Sequence, residues 1–157
     1  MKNLYLLVFL ISNVLMFGQT KSETQQWLRK IHLDYRTLNK YLTCDIMFKD
    51  GYVYMLRYPT KFRVKIKDIK KIKIQKHTLY LGDTEGTVIL KLLFEKGKFE
   101  SNYDDENNFK VSDNDDYLKY CYDSRFMTDD MKERVEKAYV HLVKLYGGSA
   151  TVYKEPF

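Results

Sequence analysis

Apolar residues recur at three- and four-residue intervals near both ends of the chain, and this spacing predicts a helix at each end. The first helix covers about residues 23–39, and its apolar stripe contains Trp27, Leu28, Ile31, Tyr35, Leu38 and Leu42. The second covers about residues 129–146, and its stripe contains Met131, Val135, Ala138, Leu142 and Leu145. A capping box at Ser22 and Gln25 marks the start of the first helix, and Gly147-Gly148 marks the end of the second.

Between the two predicted helices, apolar and polar residues alternate, which is the period of a half-buried β-strand. Asp50-Gly51 separates two such runs and predicts a hairpin, and alternating runs recur up to Tyr122. We therefore predict an α+β fold in which one antiparallel, bent β-sheet is packed by the N-terminal helix and the C-terminal helix. Because the chain has no internal repeat and no long linker, we expect residues 19–157 to form a single domain.

The first 18 residues have the pattern of a cleaved secretory signal peptide. Lys2 gives a positive start, and the apolar run from Leu4 to Phe17 is shorter than the roughly 20 residues that a spanning helix needs. Cleavage near Gly18 or Gln19 would leave a secreted or periplasmic protein, and a retained anchor or a buried N-terminal helix is the alternative. The longest later apolar stretch, residues 88–94, is interrupted by Lys91, so we predict no transmembrane segment after the signal.

Charge is unevenly distributed along a chain whose formal net charge is +6. Residues 61–76 hold eight basic residues and one acidic residue, and strand alternation turns Phe62 and Val64 inward and the intervening cations outward. Such a stripe attracts anions, so we predict a ligand-binding surface formed by Arg63, Lys65, Lys67, Lys70, Lys71 and Lys73. The alternative is a solvated strand edge on which lysines prevent aggregation.

This basic stripe also limits the classes of partner. A polyanion, an anionic membrane surface or another envelope protein agrees with its charge. Nucleic acid is disfavoured, because no recognition module accompanies the stripe.

A second segment, residues 100–116, has the opposite charge, with seven acidic residues and one lysine. Asp113, Asp115 and Asp116 suggest a calcium loop, but Leu118 and Ser124 occupy the positions at which an EF-hand needs glycine and glutamate. We interpret the segment as a solvated loop. A second hypothesis is that it folds over the basic stripe and neutralises it.

Candidate chemistry is sparse. Cys44 and Cys121 could form a disulfide in an exported protein, and two separate buried thiols are the alternative. The histidines, His32, His77 and His141, lack the spacing of a zinc site. Because the chain also contains no nucleophile elbow, phosphate loop or dinucleotide fingerprint, we nominate no catalytic residue, no metal ligand and no cofactor.

The stretches from Thr20 to Leu28 and from Arg134 to Gly148 resemble the ends of a group of uncharacterised small secreted bacterial proteins. The central strands, where Asp68-Ile69 leads into Ile72 and Ile74, are similar to pleckstrin-homology-like or GRAM-like sheets, which are bent antiparallel sheets closed by a C-terminal helix. The resemblance implies this fold but no activity, and a generic α+β sandwich fits the same periodicity.

Two functions from different classes agree with these features. The first is an exported, noncatalytic binding or interaction domain that uses the basic strand face of residues 61–76 for anionic ligands. The second is a small periplasmic or secreted hydrolase whose site is not visible in the sequence. A pocket with converging histidine and carboxylate side chains would favour the hydrolase, whereas a filled core beneath a flat basic face would favour binding.

Overall fold

The computed structural model describes residues 19–37, 44–57, 59–77, 87–103 and 108–154. It begins with helix α1 (Lys21–Asp34). Eight strands follow: β1 (Asp45–Lys49), β2 (Tyr52–Arg57), β3 (Thr60–Lys65), β4 (Ile69–His77), β5 (Thr87–Phe94), β6 (Phe99–Tyr103), β7 (Lys110–Ser112) and β8 (Tyr117–Tyr122). The described chain then forms helices α2 (Arg125–Thr128) and α3 (Met131–Leu145) and a short strand β9 (Thr151–Val152). The predicted α+β class is confirmed.

The described strands form two sheets, so the prediction of a single bent sheet was wrong. Sheet 1 has the order β1-β2-β3-β6-β7, and sheet 2 has the order β8-β5-β4-β9. All neighbouring strands are antiparallel except β4 and β9. The chain leaves sheet 1 at a 3-10 turn, Ile66–Asp68, whose Ile66 side chain is fully buried. Because alternation continues on both sides of this turn, the sequence pattern does not show where one sheet ends and the next begins.

Helix α1 begins two residues before the predicted capping box. Thr20, not Ser22, is its N-cap: the Thr20 hydroxyl accepts from the backbone N–H of Glu23 at 3.2 Å, and the Glu23 carboxylate accepts from the backbone N–H of Thr20 at 2.7 Å. These hydrogen bonds lower the pKa of Glu23. Two capping boxes overlap in this sequence. The helix begins at the one with a glutamate in its first turn, because a carboxylate at that position also interacts favourably with the helix dipole.

Helix α3 corresponds closely to the predicted C-terminal helix. It ends in a Schellman motif, in which Gly147 has φ +79° and the N–H of Gly148 donates to the carbonyl of Val143 at 2.9 Å. A side chain at Gly148 would overlap the carbonyl oxygen of Lys67, so glycine is needed for the close approach of the helix end to the 3-10 turn.

A single hydrophobic core joins the two sheets to α1 and α3. The helices contribute Leu28, Ile31, Val135 and Leu142, and the strands contribute Val53, Val64, Ile72, Leu90, Leu92 and Leu118, among others. Trp27 is half-buried at the edge of this core, with the Arg134 guanidinium 5.5 Å from its ring centre. The predicted stripe positions Leu38 and Leu42 lie outside the described residues.

A buried histidine connects the helices to sheet 2. The Nε2 atom of His32 lies 2.6 Å from the Tyr139 hydroxyl on α3, and its Nδ1 atom lies 2.9 Å from the Tyr122 hydroxyl on β8. The Tyr120 hydroxyl donates to the backbone carbonyl of His32 at 2.6 Å. We call His32, Tyr120, Tyr122 and Tyr139 the histidine cluster.

The histidine cluster is neutral and satisfied. Burial lowers the pKa of His32 to about 3, so the imidazole is uncharged at neutral pH and uses one ring nitrogen as a donor and the other as an acceptor. The His32 ring also stacks on Tyr122, with ring centres 5.4 Å apart. With both ring nitrogens bonded to tyrosines inside the core, this histidine holds the fold together rather than forming a metal or catalytic site.

Candidate functional site

The basic residues that the sequence placed on one continuous stripe are divided between the two sheets. Arg63 and Lys65 lie on β3 of sheet 1, Lys67 lies in the 3-10 turn, and the remaining three predicted site residues lie on β4 of sheet 2, namely Lys70, Lys71 and Lys73. The change of sheet at Ile66–Asp68 breaks the stripe, so the six residues do not form a single face.

Arg63, the centre of the predicted site, is engaged by its own sheet. Its Nε donates to the Glu100 carboxylate at 2.7 Å, and Glu100 is the residue directly opposite it on β6. The guanidinium lies 3.7 Å from the ring centre of Phe109 and 4.6 Å from that of Tyr52. Glu100 is the first acidic residue of segment 100–116, so this segment does neutralise part of the stripe.

The other predicted cations make weaker contacts. Lys70 lies 3.9 Å from Glu95, and both side chains are exposed. The register of β4 against β5 shifts between Ile69 and Lys71, where the strand is irregular. Lys65, Lys67 and Lys71 are exposed, and exposed ion pairs contribute little to stability.

Sheet 2 carries three lysines directly opposite one another on adjacent strands. In the register of the sheet, Lys73 of β4 faces Lys91 of β5, and Lys91 faces Lys119 of β8. The adjacent row, Ile72, Leu92 and Leu118, is fully buried or nearly so, and the alternation of a strand therefore turns the three lysines to the outer face. We call Lys73, Lys91 and Lys119 the lysine row.

Tyrosine rings accompany two members of the lysine row. The Nζ of Lys91 lies 4.5 Å from the ring centre of Tyr117, and the Nζ of Lys73 lies 4.6 Å from that of Tyr153. Among the described residues, no carboxylate forms an ion pair with Lys91 or Lys119. Like charges directly opposite each other destabilise a sheet, and the lysine row is therefore a place where a bound anion would relieve repulsion.

Lys91 and Lys119 were missed by sequence reasoning. In the sequence, Lys91 only interrupts the apolar run 88–94, and no pattern assigns a role to Lys119. The available signal was a lone lysine inside an otherwise apolar strand, but its neighbours across the sheet follow from strand order and register. Strand order and register cannot be read from the alternation of apolar and polar residues alone.

The two cysteines line one cavity of about 300 Å3 beside the edge strand β8. Lys119 also lines this cavity. Cys44 and Cys121 are both buried and both free thiols. Burial raises the pKa of Cys44 to about 12 and also raises the pKa of Cys121, so neither thiol is a thiolate at neutral pH. The structure contains no bond between the two thiols, and the disulfide of the exported protein stays a prediction.

The remaining histidines and acids form no recognisable centre in the described residues. His141 lies 3.2 Å from the Gln19 carbonyl oxygen, whereas the side chain of His77 lies outside the described residues. In the acidic segment, Asp115 accepts from the Ser112 hydroxyl at 2.7 Å, and residues 104–107 are outside the description. No group of three or more histidine, cysteine or acidic side chains that could hold a metal occurs among the residues placed by the structure.

None of the helices in the described ranges is both long enough and apolar enough to cross a bilayer. Comparison with family models, with curated proteins and with solved structures finds no match to this chain. We therefore infer the function from the residues of the site itself.

Proposed function

We propose that the protein is an exported, noncatalytic domain that binds polyanions through the lysine row. The observation that carries this proposal is the register that puts Lys73, Lys91 and Lys119 opposite one another on three adjacent strands. A sheet built only for stability would avoid such a row, since like charges directly opposite each other are destabilising. A multiply charged ligand that lies across the strands would interact with all three ammonium groups.

Export is supported by the N-terminal pattern of residues 1–18 and is part of the proposal. The mass of the intact protein from its native host tests it, because a mature chain should begin near Gln19. A pleckstrin-homology-like arrangement is likewise proposed, supported by two packed sheets followed by α3. No observation in the described residues favours the hydrolase, and we do not propose it.

Binding to heparin at low salt tests the proposed site. Two double variants lose the same charge: Lys91→Gln with Lys119→Gln on the lysine row, and Lys65→Gln with Lys67→Gln on the β3 side of the stripe. We expect the first pair to weaken affinity about tenfold or more and to reduce its salt dependence, because fewer counterions are released. The double variant Lys65→Gln with Lys67→Gln should retain most of the affinity for heparin. Equal losses would show that net charge alone drives binding, and the proposal would be wrong.

A further inference from the structure

A second cavity lies beside the lysine row, where β4 and β9 meet helix α3. Its volume is about 700 Å3, within the usual range of small-ligand pockets. Its charged lining residues are Lys73, Lys76, Lys132, Lys154, Glu133 and Glu136. Lys73 belongs both to this cavity and to the lysine row, so one extended ligand could contact both.

Glu136 is the unusual member of this lining. It is a helix residue with only 6% of its surface exposed, and its Oε1 atom has no hydrogen-bond partner among the described residues. Burial raises the pKa of Glu136, an effect that the nearby Lys132 opposes. Buried polar atoms are nearly always hydrogen-bonded, so a water or a ligand that donates to the Glu136 carboxyl group would satisfy it.

The charges of the cavity narrow the class of ligand. The four lysines disfavour a simple cation, and the two glutamates disfavour a ligand that is only a cluster of phosphate oxygens. A ligand that carries both anionic groups and hydroxyl donors can pair with the lysines and also donate to the glutamates. We propose that this cavity binds one uronic acid unit of an acidic oligosaccharide, with sugar hydroxyls donating to Glu136 and the sugar carboxylate held by the surrounding lysines.

The remaining lining agrees with a sugar ring. Met127, Val152 and Tyr153 add apolar surface to the cavity, against which the carbon face of a pyranose can pack. Rotation about the soft terminal torsion of Glu136 can bring either carboxyl oxygen to the ligand. This inference rests on the proposed polyanion binding and deepens it, because it selects saccharides from among polyanions.

The test compares two polyanions by calorimetry at low salt: trigalacturonate, which has hydroxyls and carboxylates, and the more highly charged tripolyphosphate, which has no carbon-bound hydroxyl. A dipeptide is included as a third ligand. It represents the alternative class of zwitterionic ligands, whose ammonium group would pair with Glu136. The variants are Glu136→Met, which removes the acceptor, Glu136→Gln, which keeps one, and Glu95→Met, a control for a lost exposed carboxylate. Glu136→Met should fold at least as well as the wild type, because it replaces an unsatisfied buried carboxyl group by an apolar side chain.

We expect Glu136→Met to weaken trigalacturonate binding about tenfold or more and to leave tripolyphosphate binding equal or stronger, because a repelling carboxylate is removed. Glu136→Gln should recover much of the loss, and Glu95→Met should behave like the wild type. Unchanged trigalacturonate affinity in Glu136→Met, or binding of the dipeptide in place of trigalacturonate, would overturn the inference. If the wild type bound tripolyphosphate but not trigalacturonate, the saccharide inference would fail while polyanion binding stood. If the wild type bound neither trigalacturonate nor tripolyphosphate, both the saccharide inference and the proposed polyanion binding would be wrong.

Discussion

Two rows of charged residues, one in each sheet, show opposite arrangements. In sheet 1, Arg63 lies opposite Glu100, and the pair is covered by Phe109 and Tyr52. In sheet 2, the lysine row puts like charges opposite one another on the outer face. Arg63 is neutralised by its own sheet, whereas Lys91 and Lys119 form no ion pair among the described residues.

The difference between the rows shows that cross-strand register, rather than local charge density, decides whether a cation is available to a ligand. Residues 61–76 alone contain eight basic residues, but these residues are divided between the two sheets. Glu100 comes from a segment far along the chain, and so do Lys91 and Lys119.

The histidine cluster makes the stability of the protein depend on pH. The two rows can therefore be compared only in the pH range in which the fold is stable. The pKa of His32 is about 3 in the folded protein, against an ordinary value of 6.5. Below pH 6.5 the unfolded chain therefore binds a proton that the folded protein does not, and stability falls as the pH is lowered. We expect the free energy of unfolding to drop by about 2 kcal/mol between pH 7 and pH 5.

Denaturant unfolding at several pH values measures this loss. His32→Gln, although less stable at pH 7, should show a much flatter dependence between pH 7 and pH 5. A wild-type stability that stays constant over this interval would contradict a neutral, buried His32.

Breaking the neutralised row should cost more than breaking an exposed pair. Glu100→Gln leaves the Arg63 guanidinium half-buried without its counter-charge, in a pair whose side chains are 23% and 18% exposed. We expect a loss of about 1–2 kcal/mol, between the values for surface and buried pairs. The matched change Glu95→Gln, which removes the exposed partner of Lys70, should cost about 0–0.5 kcal/mol. Thermal unfolding of both variants gives the comparison, and equal losses would mean that Arg63 is not held as described.

Weakening the lysine row should stabilise the protein slightly. Lys119→Thr removes one like-charged pair with Lys91 and introduces a good strand former, so we expect a gain of about 0.5 kcal/mol at low salt. Lys76→Thr on β4 is the control, because Lys76 faces Val88 and has no lysine opposite it. The difference between the variants should shrink in high salt, where the repulsion is screened. A Lys119→Thr protein that is less stable than the control would argue against repulsion in the row.

Much of the architecture is predictable from the sequence, because it depends on local periodicity. The two helices and the alternating strands follow from residues that are close along the chain, such as Leu28 with Ile31 or Phe62 with Val64. The division into two sheets does not follow, because the 3-10 turn at Ile66 preserves the apolar pattern.

The candidate site is less predictable for a related reason. Arg63 is assigned to binding by the alternating basic pattern of residues 61–76, which gives no sign that Glu100 lies opposite it, and the lysine row depends on pairings between three separate strands. The buried Glu136 also gave no signal, since an acidic residue in a helix is normally exposed. The pairing of distant segments is a tertiary property, which a single sequence does not encode in any local pattern.

The most direct test of the account is to map the bound ligand on the two rows. Backbone amide shifts of isotopically labelled protein would be followed by NMR at pH 7 and low salt during titration with a heparin hexasaccharide. The account predicts that the largest changes occur at Lys73, Lys91, Lys119 and their neighbours on β4, β5 and β8. Largest changes at Arg63 and Lys65 on β3, with the lysine row unaffected, would contradict it.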